Sequence, residues 1–312
     1  MIIYCHSRFE KPLQEKLIAA VSDSHNVHFG SELNEEDARE KFRSADYALG
    51  NPPVDWFSEE LPNLKFWQLD SAGFDQYAVV RLRDDVKVAN MGNWFARPCA
   101  ESIIGGVLAL YRGIDKLTLL KEKKEWVGAK LRPRLHMLYQ QNVVVLGAGT
   151  IGKSVKAILD GLGSNTQLMA RTAPEAQIRS MEELLAHLPS TDLLINTLPG
   201  TATHFVNGPV FSAMKAGSVY ASVGRGSTTD EQALIKVLNS GHLSGAVLDV
   251  TEVEPLPSDS PLWEMGNVIL TQHTGGGHAN EHVGKVDLFL NNIFAIENRG
   301  NIADEITLSK GY

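Results

Sequence analysis

The segment "NVVVLGAGTIG", residues 142–152, indicates the fold class of this chain. It begins with a short apolar run rich in valine, which is typical of a strand buried on both faces. A Gly-x-Gly-x-x-Gly loop follows at once, and the apolar spacing after it predicts a helix. A strand, a glycine turn and a helix in this order form a parallel α/β unit that can bind a dinucleotide at the helix N-terminus.

Each glycine of the loop has a separate physical task in such a unit. Gly147 allows the tight turn, Gly149 lets the backbone approach a pyrophosphate, and Gly152 permits close helix packing. The helix N-terminus offers backbone N–H donors to the anion. We therefore predict that the whole loop binds the cofactor, namely Gly147, Ala148, Gly149, Thr150, Ile151 and Gly152.

The same alternation of apolar strands and helices extends in both directions from the loop. Six strands are predicted in the second half, at 142–146, 166–170, 192–196, 218–223, 245–250 and 267–271. Five more are predicted before it, at 2–5, 27–29, 46–49, 66–69 and 86–88. The pattern predicts an α/β fold of two Rossmann-like, doubly wound parallel sheets with a cleft between them. Long helices are predicted at 98–117 and 281–298, and Thr229 is the predicted cap of the helix that contains Leu234.

Composition narrows the class of protein. The 312 residues carry a formal net charge of −8, which argues against a nucleic-acid partner. The two cysteines, Cys5 and Cys99, have no metal-type spacing, so no metal site is predicted, and their scarcity suits a reducing cytoplasm. No apolar run reaches membrane-spanning length. We expect a cytoplasmic protein without a membrane partner.

The residues at the end of the predicted strand 166–170, the second of the six in the second half of the chain, indicate which cofactor is bound. A carboxylate is usual there, because it accepts hydrogen bonds from the adenosine ribose and repels a 2′-phosphate. This chain has Ala170 and Arg171 instead, followed by Thr172. Arg171 and Thr172 can both donate hydrogen bonds to a phosphate. The sequence therefore predicts NADPH/NADP as cofactor, with NADH/NAD as the alternative.

Three polar residues follow later strands, at the sheet edge where ligands bind in open α/β folds. Arg225 lies in "SVGRGS" (222–227), Glu254 follows "GAVLDV" (245–250), and His273 lies in "TQHTGG" (271–276). Each alone is weak evidence, since such residues are often structural. Together with "INTLPGTATHFVN" (195–207) and "EPLPSDSPLW" (254–263), their order resembles the D-isomer-specific 2-hydroxyacid dehydrogenases across nearly the whole chain.

The resemblance implies a role for each of these residues. His273 would be the general acid that protonates the substrate carbonyl, Glu254 would orient it, and Arg225 would bind the substrate carboxylate. Ala72 and Gly73 resemble a loop whose N–H groups receive the same carboxylate. Further cofactor contacts are implied at Leu198, Pro199, Val223, Gly224, Asp249 and Gly275, of which Asp249 would bind the nicotinamide carboxamide.

The resemblance also implies the domain organisation and the activity. Residues 1–92 and 277–312 would form a discontinuous substrate domain, residues 93–276 the cofactor domain, and the protein would be a homodimer. Within the family, the chain looks closest to NADPH-dependent glyoxylate/hydroxypyruvate reductases, whose substrates are small 2-ketoacids. A bulkier 2-ketoacid reduced with NADH, and a cofactor-sensing corepressor-like interaction protein, are the alternatives.

The chain departs from the family pattern at several positions. Gln272 stands where a proline usually precedes the catalytic histidine, and Ser222 stands where asparagine is frequent. The linker at 125–141 lacks the pattern that the family usually has before the glycine-loop strand. The sequence therefore does not identify the surface of the predicted dimer.

Overall fold

The computed structural model describes residues 1–310 and contains two compact units. One comprises Met1–Phe95 together with the residues from His278 onward, and the other is Ala96–Gly277. The sequence predicted that the domain boundaries lie directly after residues 92 and 276. The assignment of a substrate role to the first unit stays a prediction.

Eleven strands and ten α-helices lie within residues 1–310. The strands are β1 (Ile2–Cys5), β2 (Asn26–Phe29), β3 (Tyr47–Leu49), β4 (Phe66–Gln68), β5 (Lys87–Ala89), β6 (Asn142–Leu146), β7 (Asn165–Met169), β8 (Leu193–Asn196), β9 (Val219–Ser222), β10 (Gly245–Leu248) and β11 (Val268–Leu270). The helices are α1 (Lys11–Val21), α2 (Glu35–Ser44), α3 (Gly92–Arg112), α4 (Ile114–Glu122), α5 (Gly128–Leu131), α6 (Thr150–Gly161), α7 (Met181–His187), α8 (Gly208–Ala213), α9 (Glu231–Asn239) and α10 (Glu281–Glu297).

The first unit is built on a five-stranded parallel sheet in the order β2-β1-β3-β4-β5. Side chains alternate between its two faces, so Ile3 and Cys5 enter one apolar core while Tyr4 enters the other. Trp56 is buried in the second of these cores, where it packs against Tyr4 and Phe42. Both faces are covered, as the short apolar runs predict.

Helix α10 packs on the first sheet although it is distant from it in sequence. Its residues Val286, Phe289 and Ile293 share a core with Ile3 of β1 and Leu17 of α1. Sequence periodicity predicted the helix but not its partner, because an apolar stripe does not identify the surface that it covers.

The second unit is built on a six-stranded parallel sheet in the order β11-β10-β9-β8-β6-β7. Strands β8, β9 and β10 are buried along their whole length, whereas the edge strand β11 is only half-buried. All eleven predicted strands are present, with ends that differ by at most two residues. The predicted fold class is therefore confirmed.

Two predicted details of the helices are wrong. The helix expected at 98–117 begins earlier, at Gly92, and is divided in two by Gly113, which has a left-handed φ of 64°. Glycine adopts this conformation without steric cost. The cap of α9 is Asp230, whose carboxylate accepts from the N–H of Ala233, and not Thr229.

Two further features of residues 1–310 bear on the class of protein. In that range, no helix is both long enough and apolar enough to cross a membrane. The same residues contain no group of three His, Cys, Asp or Glu side chains that could hold a metal ion.

A buried amide pair joins α10 to the first sheet and yields a prediction of stability. Asn292, 1% exposed, donates from Nδ2 to Oε1 of Gln68 at 2.8 Å and accepts from the N–H of Ala303 at 2.8 Å. Asn292→Ala removes these bonds and leaves buried polar groups without partners, so we expect a loss of about 3 kcal/mol in the free energy of unfolding. Urea denaturation measures it.

The neighbouring Asn291 provides the matched control, since it lies on the same helix but is exposed. Asn291→Ala should change the free energy of unfolding by less than about 0.5 kcal/mol. Equal losses in the two variants would contradict the role given to Asn292.

Candidate active site

The glycine loop connects β6 to α6 in the conformation that its sequence predicts. Gly147 has a φ of 101°, which non-glycine residues rarely adopt. A Cβ on Gly152 would lie 2.1 Å from the carbonyl oxygen of Gly147, so the helix can approach the strand only with glycine there. The sequence of the loop is therefore explained by its own packing at these two positions.

Gly149 differs from the other two glycines, because a Cβ added to it would meet no atom of residues 1–310 within 4 Å. The protein's own packing thus does not require glycine there, whereas close approach of a ligand would. Gly149 is also the N-cap of α6, a 12-residue helix whose first N–H groups lie beside it. This open glycine cradle at a helix N-terminus fits a dinucleotide pyrophosphate.

The turn after β7 carries Arg171 and Thr172, and both side chains are exposed. The one acid in the turn, Glu175, pairs with Nζ of Lys153 at 2.5 Å. That hydrogen bond lowers the pKa of Glu175, so its carboxylate stays charged and paired with the lysine. Arg179 stabilises the turn by donating to the carbonyls of Ala173 and Pro174, each at 3.2 Å.

His273 and Glu254 form a direct pair at the carboxyl edge of the second sheet. Nδ1 of His273 lies 2.6 Å from Oε2 of Glu254. The other carboxylate oxygen of Glu254 accepts from the N–H of Thr251 at 3.0 Å, which fixes the orientation of the carboxylate. Because Nδ1 is engaged with Glu254, Nε2 is the ring atom that can serve a substrate.

The turn that carries His273 is unusual in its backbone. Gln272 and His273 both have left-handed conformations, with φ of 55° and 56°. Such residues are costly by about 1–3 kcal/mol each and persist only where the surroundings hold them. Proline, usual before the histidine in the resembled family, is locked near φ −65° and could not occupy position 272 in this turn.

Asp249 holds this turn. Its buried carboxylate oxygen Oδ1 accepts from the hydroxyl of Thr271 at 2.6 Å and from the N–H groups of Thr274 and Gly275, both at 3.0 Å. Its backbone carbonyl accepts from the N–H of His273 at 2.5 Å. The structure therefore gives Asp249 a positioning role, while its predicted contact with the nicotinamide stays a prediction.

Arg225 lies in the loop after β9, next to the loop that carries Glu254. A Cβ on Gly226 would lie 1.7 Å from the carbonyl oxygen of Thr251, so the two loops touch through their backbones. A Cβ on Gly224 would lie 2.5 Å from the carbonyl oxygen of Leu198. The second unit thus brings together the loops that carry Leu198, Arg225 and Glu254, and the last of these is joined to His273.

A buried polar network beneath these segments was not predicted from the sequence. It consists of Asn196, Tyr220, Thr228 and Thr229, whose side chains are at most 6% exposed. The nearest signal in the sequence is the presence of polar residues at the end of one apolar strand, "NT" (196–197), and in the loop that follows the next one, "STT" (227–229). Sequence patterns do not reveal that these side chains meet.

Cys99 on α3 is buried close to the charges of Asp249 and Arg225. Burial, with a smaller contribution from the negative charge of Asp249, raises the pKa of Cys99 to about 12. The thiol therefore stays protonated and unreactive.

The remaining predicted residues have ordinary structural surroundings. Ala72 and Gly73 lie in the first unit after β4, and their carbonyls accept from Asn90 and Ser71. A Cβ on Gly275 would lie 2.6 Å from Oδ2 of Asp249. Val223 and Ser222 are buried at the end of β9, and Pro199 lies in the loop after β8. The predicted ligand contacts of these residues stay predictions.

An apolar cavity of about 410 Å³ adjoins the His273–Glu254 pair within the second unit. It is lined by Leu248, Leu256, Trp263 and Leu270 together with His273 and Glu254 themselves.

Comparison with known proteins assigns the chain to a family. The model of the NAD binding domain of the D-isomer specific 2-hydroxyacid dehydrogenases matches residues 104–275, which is more than half of the chain and lies within the second unit.

Similar proteins extend the match to the rest of the chain. An uncharacterized protein of Corynebacterium melassecola is 32% identical over 288 residues, covering 88% of this chain and 92% of that protein. A glyoxylate/hydroxypyruvate reductase A of Serratia proteamaculans is 30% identical over 223 residues, covering 70% of this chain and 69% of that protein. The crystal structure of a D-isomer specific 2-hydroxyacid dehydrogenase from Xanthobacter autotrophicus, in complex with NADPH and MES, is similar with a TM-score of 0.81 and 25% identity, covering 100% of this chain and 99% of that chain.

The family model and the similar reductase and dehydrogenase show that the chain belongs to the D-isomer specific 2-hydroxyacid dehydrogenases, with its NAD(P)-binding domain in the second unit.

Proposed function

We propose that the protein reduces a small 2-ketoacid, of the glyoxylate or hydroxypyruvate type, to the (R)-2-hydroxy acid with NADPH. The observation that carries this proposal is the 2.6 Å pair between His273 and Glu254, in the unit that also contains the glycine loop and Arg225. When bound, the reduced nicotinamide supplies the hydride.

His273 is the proton donor in this reaction. Its Nε2 hydrogen-bonds the substrate carbonyl oxygen and transfers a proton to it as charge develops there. Glu254 holds the ring through Nδ1 and stabilises the imidazolium before the transfer. In the reverse direction the neutral ring accepts the proton.

Arg225 binds the substrate. Its planar guanidinium suits a carboxylate, to which it can donate two parallel hydrogen bonds, and its charge polarises the adjacent carbonyl. Ala72 and Gly73 are the predicted second anchor of the same carboxylate.

Arg171 and Thr172 account for the preference for NADPH. Both are exposed donors directly after β7, and the acid closest to them in sequence, Glu175, is paired with Lys153. A 2′-phosphate therefore meets a cation and a hydroxyl in this turn. The NADPH complex of the similar dehydrogenase from Xanthobacter autotrophicus is consistent with this assignment.

The proposal as a whole is tested by following the absorbance of the reduced nicotinamide with purified protein. The substrates are glyoxylate, hydroxypyruvate, pyruvate, phenylpyruvate and 2-ketoisocaproate, each with NADPH and with NADH. We expect the highest kcat/KM with NADPH and either glyoxylate or hydroxypyruvate. Faster turnover of phenylpyruvate or 2-ketoisocaproate would overturn the small-substrate assignment, and tight NADPH binding without turnover would favour a cofactor sensor.

The role of His273 is tested by His273→Asn. Without the ring, no group protonates the carbonyl oxygen, so kcat should fall by about 10²–10⁴-fold, while the Kd for NADPH stays within about threefold. Steady-state kinetics and fluorescence titration with NADPH measure the two quantities.

His204 provides a matched control, because its Nε2 lies 2.6 Å from Oε1 of Glu252 in a similar His–Glu pair. This hydrogen bond raises the pKa of His204, yet the residue has no role in the proposed reaction. His204→Asn should keep kcat within about threefold. An equal loss of kcat in both variants would remove His273 from the role of proton donor.

The cofactor preference is tested by Arg171→Ala. Loss of charge-assisted bonds to the 2′-phosphate should raise the KM for NADPH by about 10–100-fold and leave the KM for NADH within about twofold. Adding Ala170→Asp should move the preference further toward NADH. The control Lys236→Ala removes one positive charge from the exposed surface of α9 and should change neither constant. An unchanged NADPH/NADH ratio in Arg171→Ala would refute the assignment.

A further inference from the structure

We propose that Thr228 is a positioning residue that orients Arg225 toward the substrate, through a hydrogen-bond chain that begins at Asn196. This inference rests on the substrate-binding role proposed for Arg225. Thr228 follows Arg225 by three positions in the sequence. Its side chain is fully buried, and it is not among the predicted site residues.

The contact that carries the inference is a short hydrogen bond to the backbone of Arg225. The hydroxyl of Thr228 donates to the carbonyl oxygen of Arg225 at 2.6 Å, and the N–H of Thr228 donates to the same oxygen at 3.1 Å. The peptide plane that follows Arg225 is therefore held by two donors. These bonds restrain the backbone at the Cα of Arg225, from which the side chain extends, and so restrict the positions that the guanidinium can reach.

The direction of the hydroxyl bond is fixed by its other neighbour. Nδ2 of Asn196 donates to Oγ1 of Thr228 at 2.7 Å, so the single hydroxyl proton of Thr228 is left for the carbonyl of Arg225. Oδ1 of Asn196 accepts from the N–H of Leu198 at 3.0 Å, which fixes the amide in turn. The chain of bonds thus runs in one sense from the loop after β8 to the loop after β9.

Burial makes this series of hydrogen bonds rigid. Asn196 and Thr228 are both 0% exposed, so water cannot replace a bond that breaks, and each bond is stronger than at the surface. In the same loop, the next residue, Gly226, lies against the backbone of Thr251. The backbone at Arg225 is therefore restrained both by hydrogen bonds and by contact with a neighbouring loop.

Thr229 offers a comparison within the same network. It is 6% exposed, and its hydroxyl lies 2.6 Å from the hydroxyl of Tyr220, which in turn accepts from Nδ2 of Asn196 at 3.0 Å. Its hydroxyl is thus buried and bonded like that of Thr228 but makes its strong bond to Tyr220 rather than to the backbone of Arg225. A purely structural role predicts similar effects of the two threonines, whereas positioning of Arg225 predicts different ones.

The test compares Thr228→Val with Thr229→Val, since valine keeps the shape of threonine and removes only the hydroxyl. We expect Thr228→Val to lower kcat/KM for the 2-ketoacid by about 10–100-fold, because small misplacements of a substrate-orienting group have effects of this size. The Kd of the NADPH complex for oxamate, a non-reacting analogue of a 2-ketoacid, should rise in parallel. The Kd for NADPH should stay within about threefold, and Thr228→Ser should restore activity to within about threefold of the parent protein.

Thr229→Val should lose comparable thermal stability and retain kcat/KM within about threefold. Equal kinetic losses in the two valine variants, or a Thr228→Ser variant as poor as Thr228→Val, would overturn the inference. Thr228→Ala, which removes the hydroxyl without placing a methyl group against Asn196, replaces Thr228→Val in this comparison if the latter does not fold.

Arg225→Lys separates this inference from the proposed function. It keeps the charge and loses the planar fork, so it should weaken oxamate binding strongly if Arg225 binds the carboxylate. If Arg225→Lys binds oxamate normally, the proposed role of Arg225 fails. If Arg225→Lys loses binding while Thr228→Val does not, only the positioning role of Thr228 fails.

Discussion

Hydrogen bonds to the buried carboxylate of Asp249 hold the carboxyl edge of the second sheet, where the candidate active site lies. The carboxylate accepts hydrogen bonds from three residues of the turn that carries His273, and that turn contains two consecutive residues in left-handed conformations. Without such a clamp the turn would relax, because neither residue is a glycine. The histidine that we propose as proton donor is thereby placed by a carboxylate that lies at the end of the neighbouring strand.

The same principle recurs at the other loops of this edge. Glu254 is held by the N–H of Thr251, and the carbonyl of Arg225 is held by Thr228. Each of these two predicted site residues is therefore supported by a second polar group, a backbone N–H for Glu254 and a buried hydroxyl for Arg225. Catalytic groups placed on loops need such support, because the loops themselves have little packing to restrain them.

Gln272 illustrates how a departure from the family pattern follows from backbone geometry. Its φ of 55° is closed to proline, whose ring fixes φ near −65°. The residue is exposed, so its identity is set by the path of the chain and not by packing. The absence of proline at position 272 is thus explained by the backbone conformation of the turn.

The strands, the parallel class of the sheets and the glycine loop could be predicted from the sequence, because apolar runs and glycine spacing are local features that are enough to specify them. His273, Glu254 and Arg225 could be named as candidate site residues from their order along the chain and from the family resemblance. The packing of α10 on the first sheet and the hold of Asp249 on the histidine turn became visible in the tertiary structure alone. The same holds for the joining of Asn196 to Arg225 through Thr228. These contacts link residues that lie on different strands or loops, and their partners depend on strand order and register, which no local pattern encodes.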